Sequence, residues 1–365
     1  MKKITVILGT RPEAIKLAPV ILALKKSNLA LNVIHTGQHS DLADDVLDYF
    51  KIKPDIRLSL NRDSIDSEVN LLHQLLEIIN NSVRAENPDL VMVQGDTSSA
   101  LSGALTAHYN KIPVSHLEAG LRSFDITQPF PEETNRKLIS HVADIHFAAT
   151  ASAKQNLLNE GIAESDIHIT GNSVVDALKM ILKSSELSEE QIREKYNALG
   201  KKLILLTTHR RENLGEAQLQ IFKAVEKICR TNPDFKLIFP VHPNPEIRKH
   251  FSHLENSDNI ELIEPLSYFQ FVPLMAACDL ILTDSGGIQE EAPALGIPVF
   301  VLRNKTERPE LIDAGAGKLI GTETDRIINE VQTFIETESE SSPIEIFGDG
   351  QTSARVVSII ENFLK

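Results

Sequence analysis

The chain has only two cysteines, Cys229 and Cys278, in 365 residues. Both lie in apolar stretches with helical spacing. They read as core residues, not as a disulfide framework or a metal-ligand pair. No run of about 18 apolar residues is present, so no membrane-spanning helix is expected. The apolar run Ile4–Leu8 is too short for the core of a secretory signal, and a reducing cytoplasm is the expected compartment. Positive charge is in the minority: 37 Lys and Arg against 51 Asp and Glu leave a formal net charge of −14. A nucleic acid is therefore not an expected partner, although a local basic pocket for a phosphorylated small molecule fits the balance. No GxGxxG follows the first apolar run, so a standard dinucleotide site is not indicated. Internal repeats are absent. The one low-complexity patch, Glu336 to Ser342, reads as a surface linker.

What is present is a regular alternation. Short apolar runs of strand length are each followed by a polar turn and a stretch of helical spacing. In the first half the runs Ile4–Leu8, Asn32–Thr36, Leu90–Val93, Val114–His116, Ile145–Ala148 and Ile167–Thr170 read as strands. Helices are expected from Pro12 onward, over Asp41–Phe50, Ser67–Glu86 and Ser98–His108. In the second half Leu203–Thr207, Lys236–Phe239, Ile260–Ile263, Leu280–Leu282 and Pro298–Leu302 read as strands. Helices are expected over Ala217–Arg230, Ser267–Ala277 and Thr352–Leu364. Continuous apolar strands separated by helices predict parallel sheets covered on both faces. The fold class is therefore α/β, with two doubly wound Rossmann-like domains. The boundary is placed near Gly171–Asn172, giving 1–171 and 172–351, and the helix over 352–365 is expected to return to the first domain.

In such sheets ligands bind beyond the carboxyl ends of the strands. The polar residues at those ends include Arg11, Gln38, His39, Asp96, Glu118, His209 and His242. Each has an ordinary alternative: Asp96 as a helix cap, Glu132 and Glu133 as favourable charges on a first helical turn, Lys16 as a solvated base. Glu118 is harder to explain that way, because Ala119-Gly120 gives it no helix to cap. Thr283-Asp284-Ser285-Gly286-Gly287 connects a buried strand to the helical pattern of Ile288, Ala292 and Leu295. Its glycines permit close backbone approach by an anion, and Glu290 and Glu291 follow on the first turn, where a carboxylate could accept ribose hydroxyls. The alternative is a strand–turn–helix junction capped by Ser285.

Assembled, these motifs resemble the non-hydrolysing UDP-N-acetylglucosamine 2-epimerases, which have the glycosyltransferase-B fold. The matching segments are Gly9-Thr10-Arg11-Pro12-Glu13-Ala14-Ile15-Lys16, Gln94-Gly95-Asp96-Thr97, His116-Leu117-Glu118-Ala119-Gly120-Leu121-Arg122, Pro131-Glu132-Glu133-Thr134-Asn135-Arg136, His209-Arg210-Arg211-Glu212-Asn213 and Asp284–Pro293. They run through nearly the whole chain in order. The resemblance implies two domains facing across a cleft and no cofactor or metal. It implies reversible C2 epimerisation of UDP-N-acetylglucosamine to UDP-N-acetylmannosamine through a 2-acetamidoglucal, supplying an activated sugar for surface polysaccharide synthesis. Asp96, Glu118 and Glu132 would be the catalytic carboxylates, and His209 would serve the leaving diphosphate. Arg11, Lys16, His242, Phe271, Ser285, Gly286, Gly287 and Glu291 would bind substrate. A homodimer is the implied assembly.

A possible activator site for a second UDP-sugar would use Gln38, His39 and Arg210. Here the sequence departs from the family, because Gln38-His39 is followed by Ser40-Asp41-Leu42 and not by the usual basic residue, Gln or Glu, and Met. The competing readings are an epimerase of another UDP-2-acetamido sugar, such as UDP-2,3-diacetamido-glucuronate, a UDP-sugar glycosyltransferase, a hydrolysing epimerase, and an inert UDP-sugar sensor.

Overall fold

Buried apolar runs set the architecture. Ile4, Val6, Ile7 and Leu8 are inaccessible to solvent, as are Leu205, Leu206, Ile281 and Leu282. Strands apolar on both faces need a helical layer on each side. The computed structural model describes the chain apart from residues 243, 245, 246, 248–253, 255, 256 and 338–341, and apart from the side chains of Ser40, Asp41 and Arg211. Most of the Glu336–Ser342 patch lies outside the described residues.

The first sheet contains β1 (Lys3–Leu8), β2 (Ala30–His35), β3 (Ile56–Arg57), β4 (Leu90–Gln94), β5 (Val114–Ala119), β6 (Ile145–Ala148) and β7 (Ile167–Ile169). All pairings are parallel, in the order β3-β2-β1-β4-β5-β6-β7. The second contains β8 (Lys202–Thr207), β9 (Phe235–Pro240), β10 (Ile260–Ile263), β11 (Leu280–Thr283), β12 (Val299–Val301) and β13 (Gly317–Leu319). It is also parallel, in the order β10-β9-β8-β11-β12-β13. Strand order reverses between β1 and β4 in one sheet and between β8 and β11 in the other. A doubly wound sheet opens a ligand crevice at such a reversal, at the carboxyl ends of the strands.

The described residues form two compact units, Met1–Ala177 with Gly348–Lys365, and Leu178–Phe347. In the first, the terminal helix Thr352–Phe363 packs on the helix Arg11–Leu24. The Asp176 carboxylate accepts the N–H groups of Thr352 and Ser353 at 3.3 and 2.8 Å, which fixes the start of that helix. No described helix is long and apolar enough to cross a membrane.

The expected α/β class and the expected helices are present, with ends shifted by a residue or so. Several elements escape the sequence reading. The strands β3 and β13 are only two and three residues long, too short to carry a period. The helices Ala151–Asn159 and Thr324–Glu336 also go unread. The strand expected to end at His116 continues to Ala119, so Glu118 lies within β5 and not beyond it.

Candidate active site

In the first unit the turn after β1 is built around a buried carboxylate. A Cβ on Gly9 would stand 2.1 Å from Thr36 Oγ1, so only glycine fits there. Glu13 accepts the N–H of Gly9 at 2.9 Å and of Thr10 at 2.7 Å, and the hydroxyls of Thr10 at 2.8 Å and Thr97 at 2.6 Å. Burial pushes its pKa above the ordinary glutamate value, and these four donors act against that rise. The amides of this turn therefore face an internal anion. Arg11 is exposed at the start of the helix.

Glu118 sits at a register irregularity in β5 with φ of +66°, a left-handed conformation costly for a residue with a Cβ. Lys16 Nζ lies 2.6 and 2.5 Å from its two carboxylate oxygens. Gln94, the last residue of β4, donates its amide N–H to the same carboxylate. Lys16 is expected on a phosphate; in the structure its ammonium, from the helix after β1, pairs with Glu118 of β5, two strands away in the sheet.

Asp96 follows β4. Its carboxylate accepts Arg136 Nε at 2.7 Å, and its main-chain oxygen accepts Asn135 Nδ2 at 2.8 Å. Both donors come from the helix Glu132–Val142. Glu132 opens this helix, and its Oε2 is buried without a hydrogen-bond partner among the described residues. Glu133, its neighbour, is structural: fully buried, it accepts the N–H groups of Ser123 and Phe124 at 2.9 and 3.3 Å and Arg136 Nη1 at 3.1 Å. Burial disfavours the charged Arg136, but Asp96 and Glu133 outweigh it and raise its pKa. Two sets of hydrogen bonds, one around Glu118 and one around Asp96, thus fix elements that meet at the end of β4.

Gln38 turns inward, its amide oxygen accepting the N–H and hydroxyl of Ser99 at 3.1 and 2.6 Å. His39 is exposed. Arg62 binds the carbonyls of Gly37 and Gln38, so this loop is held by the protein itself.

In the second unit the site gathers at the ends of β8 and β11, tied by the Thr207 and Thr283 hydroxyls at 2.6 Å. Asp284 is inaccessible to solvent. It accepts Thr208 Oγ1 at 2.9 Å, the main-chain N–H of His209 at 3.1 Å and of Arg210 at 3.0 Å, and Asn213 Nδ2 at 3.0 Å. His209 Nδ1 stands 3.3 Å from its Oδ1. Burial alone would raise the Asp284 carboxyl; His209 and the other donors outweigh it and hold the group below its usual range. A buried carboxylate on Nδ1 orients the ring and leaves Nε2 for other chemistry. The His242 ring stacks on His209 with centroids 6.1 Å apart, and burial, with His209, lowers its pKa.

Ser285 does not cap the following helix: the N-cap is Gly287, which has no side chain to accept the first amides. A Cβ on Gly286 would lie 2.9 Å from Arg308 Nη1 and 3.3 Å from Arg210 Nη2, so two guanidinium groups flank this glycine. Arg308 Nε is held by Glu290 Oε1 at 2.6 Å, and Tyr268 donates to Glu291 at 3.1 Å. Phe271 is partly buried on the helix Tyr268–Ala276.

Four functional partners escape the sequence reading: Gln94 on Glu118, Arg136 on Asp96, Asp284 on His209, and Arg308 beside Gly286. Gln94, Asp284 and Arg136 stand inside the quoted motifs, so a signal existed for them. Nothing local to Arg308 tells it apart from a surface base, because the fold brings it to Gly286 from beyond β12.

The family model described as UDP-N-acetylglucosamine 2-epimerase matches residues 22–361. A UDP-N-acetylglucosamine 2-epimerase of Campylobacter jejuni is 41% identical over 382 residues, covering 99% of this chain and 97% of the relative. The crystal structure of the Neisseria meningitidis UDP-GlcNAc 2-epimerase bound to UDP-GlcNAc is 40% identical with a TM-score of 0.90, covering 99% of this chain and 100% of that one. The Methanocaldococcus jannaschii UDP-GlcNAc 2-epimerase, in complex with UDP-GlcNAc and UDP, is 38% identical with a TM-score of 0.82, covering 99% of each chain.

Proposed function

This chain belongs to the UDP-N-acetylglucosamine 2-epimerase family, and from that premise we propose how it inverts C2 of UDP-N-acetylglucosamine to give UDP-N-acetylmannosamine. The C2 proton is barely acidic, so its removal is coupled to departure of UDP. A carboxylate takes the proton, the C–H electron pair forms the C1–C2 double bond, and the C1–oxygen bond breaks with its pair going to UDP. In the second half UDP attacks C1 of the 2-acetamidoglucal while a carboxyl delivers a proton to the opposite face of C2. The net reaction is an isomerisation, with no oxidation or reduction.

We assign the proton transfers to Asp96, Glu118 and Glu132, each at general acid–base work. Glu118 is suited to a fixed proton-accepting position by Lys16 and Gln94. The unpartnered oxygen of Glu132 suits a group whose partner is the substrate. We assign the leaving diphosphate to His209, steadied by Asp284, and to the donors around Ser285, Gly286 and Gly287, including Arg210 and Arg308. Charge growing on a leaving group is best met by such preorganised donors. Arg11 and His242 assist the phosphates, Glu291 takes the ribose hydroxyls and Phe271 packs near uracil. Lys16 acts on Glu118. The observation that carries the reading is the trio of carboxylates in the first unit: a transferase that only holds a nucleotide sugar has no need of it.

The test is proton NMR of the protein with UDP-N-acetylglucosamine alone in heavy water. Deuterium entering C2 as UDP-N-acetylmannosamine appears is the expected result. Free N-acetylmannosamine with UDP would assign a hydrolysing enzyme. No reaction without an acceptor would assign a transferase, and turnover only of UDP-2,3-diacetamido-glucuronate would change the sugar. We further propose a cytoplasmic homodimer that supplies surface polysaccharide synthesis. Light scattering at micromolar protein should then give twice the 40.5 kDa chain mass.

A further inference from the structure

We propose that Arg136 is a positioning residue that fixes the Asp96 carboxylate for proton transfer. This deepens the epimerase reading and rests on it in making Asp96 a reacting group. Asp96 follows Gly95, which has φ of +70°, on the turn after β4. Two donors hold the residue, one on its main chain and one on its carboxylate. Asn135 Nδ2 takes the main-chain oxygen at 2.8 Å and Arg136 Nε takes Oδ2 at 2.7 Å. Among the described residues no group donates to Oδ1, so one oxygen is committed and the other is left for a substrate.

The guanidinium is in turn held from behind. Nη1 donates to Glu133 at 3.1 Å, and Glu133 is fixed by the amides of Ser123 and Phe124. An arginine present only to neutralise Asp96 would need no second anion. A planar fork spanning two carboxylates sets direction as well as charge. Glu132 and Arg136 are four residues apart, on one face of their helix. The element that presents Glu132 therefore also sets Asp96, and the two carboxyl groups keep a constant relation.

The test compares Arg136→Met and Arg136→Lys with wild type, using UDP-N-acetylglucosamine turnover, calorimetric UDP binding and a crystal structure of each variant. Misplacement of a reacting group by about 1 Å costs about 100-fold in rate. Arg136→Met should lower kcat by about that factor while KM and UDP affinity stay within about threefold. Arg136→Lys, able to reach one carboxylate but not both, should recover about tenfold of the loss. The Asp96 carboxylate should be displaced in the Met variant. Unchanged kcat, a loss confined to KM, or an Asp96 carboxylate that stays in place would overturn the proposal. The crystallographic readout holds whatever the substrate: a wild type that does not turn over UDP-N-acetylglucosamine would sink the epimerase reading, while the position of Asp96 would still decide the role of Arg136.

Discussion

Glu118 holds a strained φ of +66° with its carboxylate against Lys16 and Gln94. Strain of about 1–3 kcal/mol persists only where surrounding contacts over-determine it. Glu118→Gln keeps size and burial but removes the negative charge that pairs with Lys16 and the oxygen able to take a proton. Its kcat should fall at least about 100-fold while UDP binding by calorimetry is retained; near-normal turnover would remove Glu118 from the chemistry. Asp284 makes a similar argument in the second unit. Asn in its place would present an amide to N–H donors and lose the bond that orients His209. Asp284→Asn should lower kcat by at least about 100-fold, and its midpoint in urea should drop because a buried site loses a charge-assisted acceptor. A stable, fully active variant would return His209 to an unassisted role.

Buried histidines in the first sheet couple stability to pH. His116, almost fully buried with Nε2 donating to Gly95 O at 2.7 Å, has its pKa pushed down to about 3, mainly by burial. His146, its partner across β5 and β6, is pushed down to about 4 for the same reason. Both values lie below 6.5, so the unfolded chain takes up protons first. Their neutral forms are compatible with full stability above pH 6.5. Stability is lost as pH falls from 6.5 toward 4, at about 1.4 kcal/mol per pH unit for each histidine. His116→Gln keeps a donor for Gly95 and removes one titrating group. Urea midpoints between pH 7 and 5 should then slope less steeply than in wild type; parallel slopes would contradict this account.

Among the elements, β5 and the turn after it show how a strand end becomes a site. Gly120 has φ of +88°, and a Cβ there would lie 2.2 Å from the carbonyl oxygen of Ala153. Gly120→Ala therefore meets a backbone atom that cannot swing aside. A loss of at least about 2 kcal/mol of stability is expected by chemical denaturation. The β1 turn teaches the reverse lesson. It has the glycine and helix start of a phosphate loop, yet Glu13 fills the anion position from within. Whether an amide faces a ligand or a carboxylate four residues on depends on a rotamer, which the pattern of residue types does not encode.

For the whole molecule, the chain leaves the first unit near Ala177 and returns to it at Gly348. Val356 and Ile360 of the returning helix are inaccessible to solvent, and Asp176 holds its start. Deleting residues 348–365 uncovers an apolar strip of the helix Arg11–Leu24. It should lower the thermal midpoint of the first unit by several degrees, since each buried aliphatic side chain contributes roughly 1.5–3 kcal/mol. An unchanged midpoint by calorimetry would make that helix dispensable.

The order of strands and helices was legible because periodicity is a local property: apolar runs of strand length alternate with stretches of helical spacing from Lys3 to Phe363. The candidate carboxylates and His209 were legible because each stands at a strand end or helix start. Their partners were not. Lys16 on Glu118, Arg136 on Asp96, Asp284 on His209 and Arg308 beside Gly286 join positions distant in the chain or choose one rotamer among several. So sequence alone determined the layers, the family and the chemistry-bearing residue types, all carried by local pattern. The tertiary structure decided which carboxylate meets which cation and which amides face inward. Those outcomes follow from long-range packing and burial, which set side-chain direction and charge only once the sheets have formed.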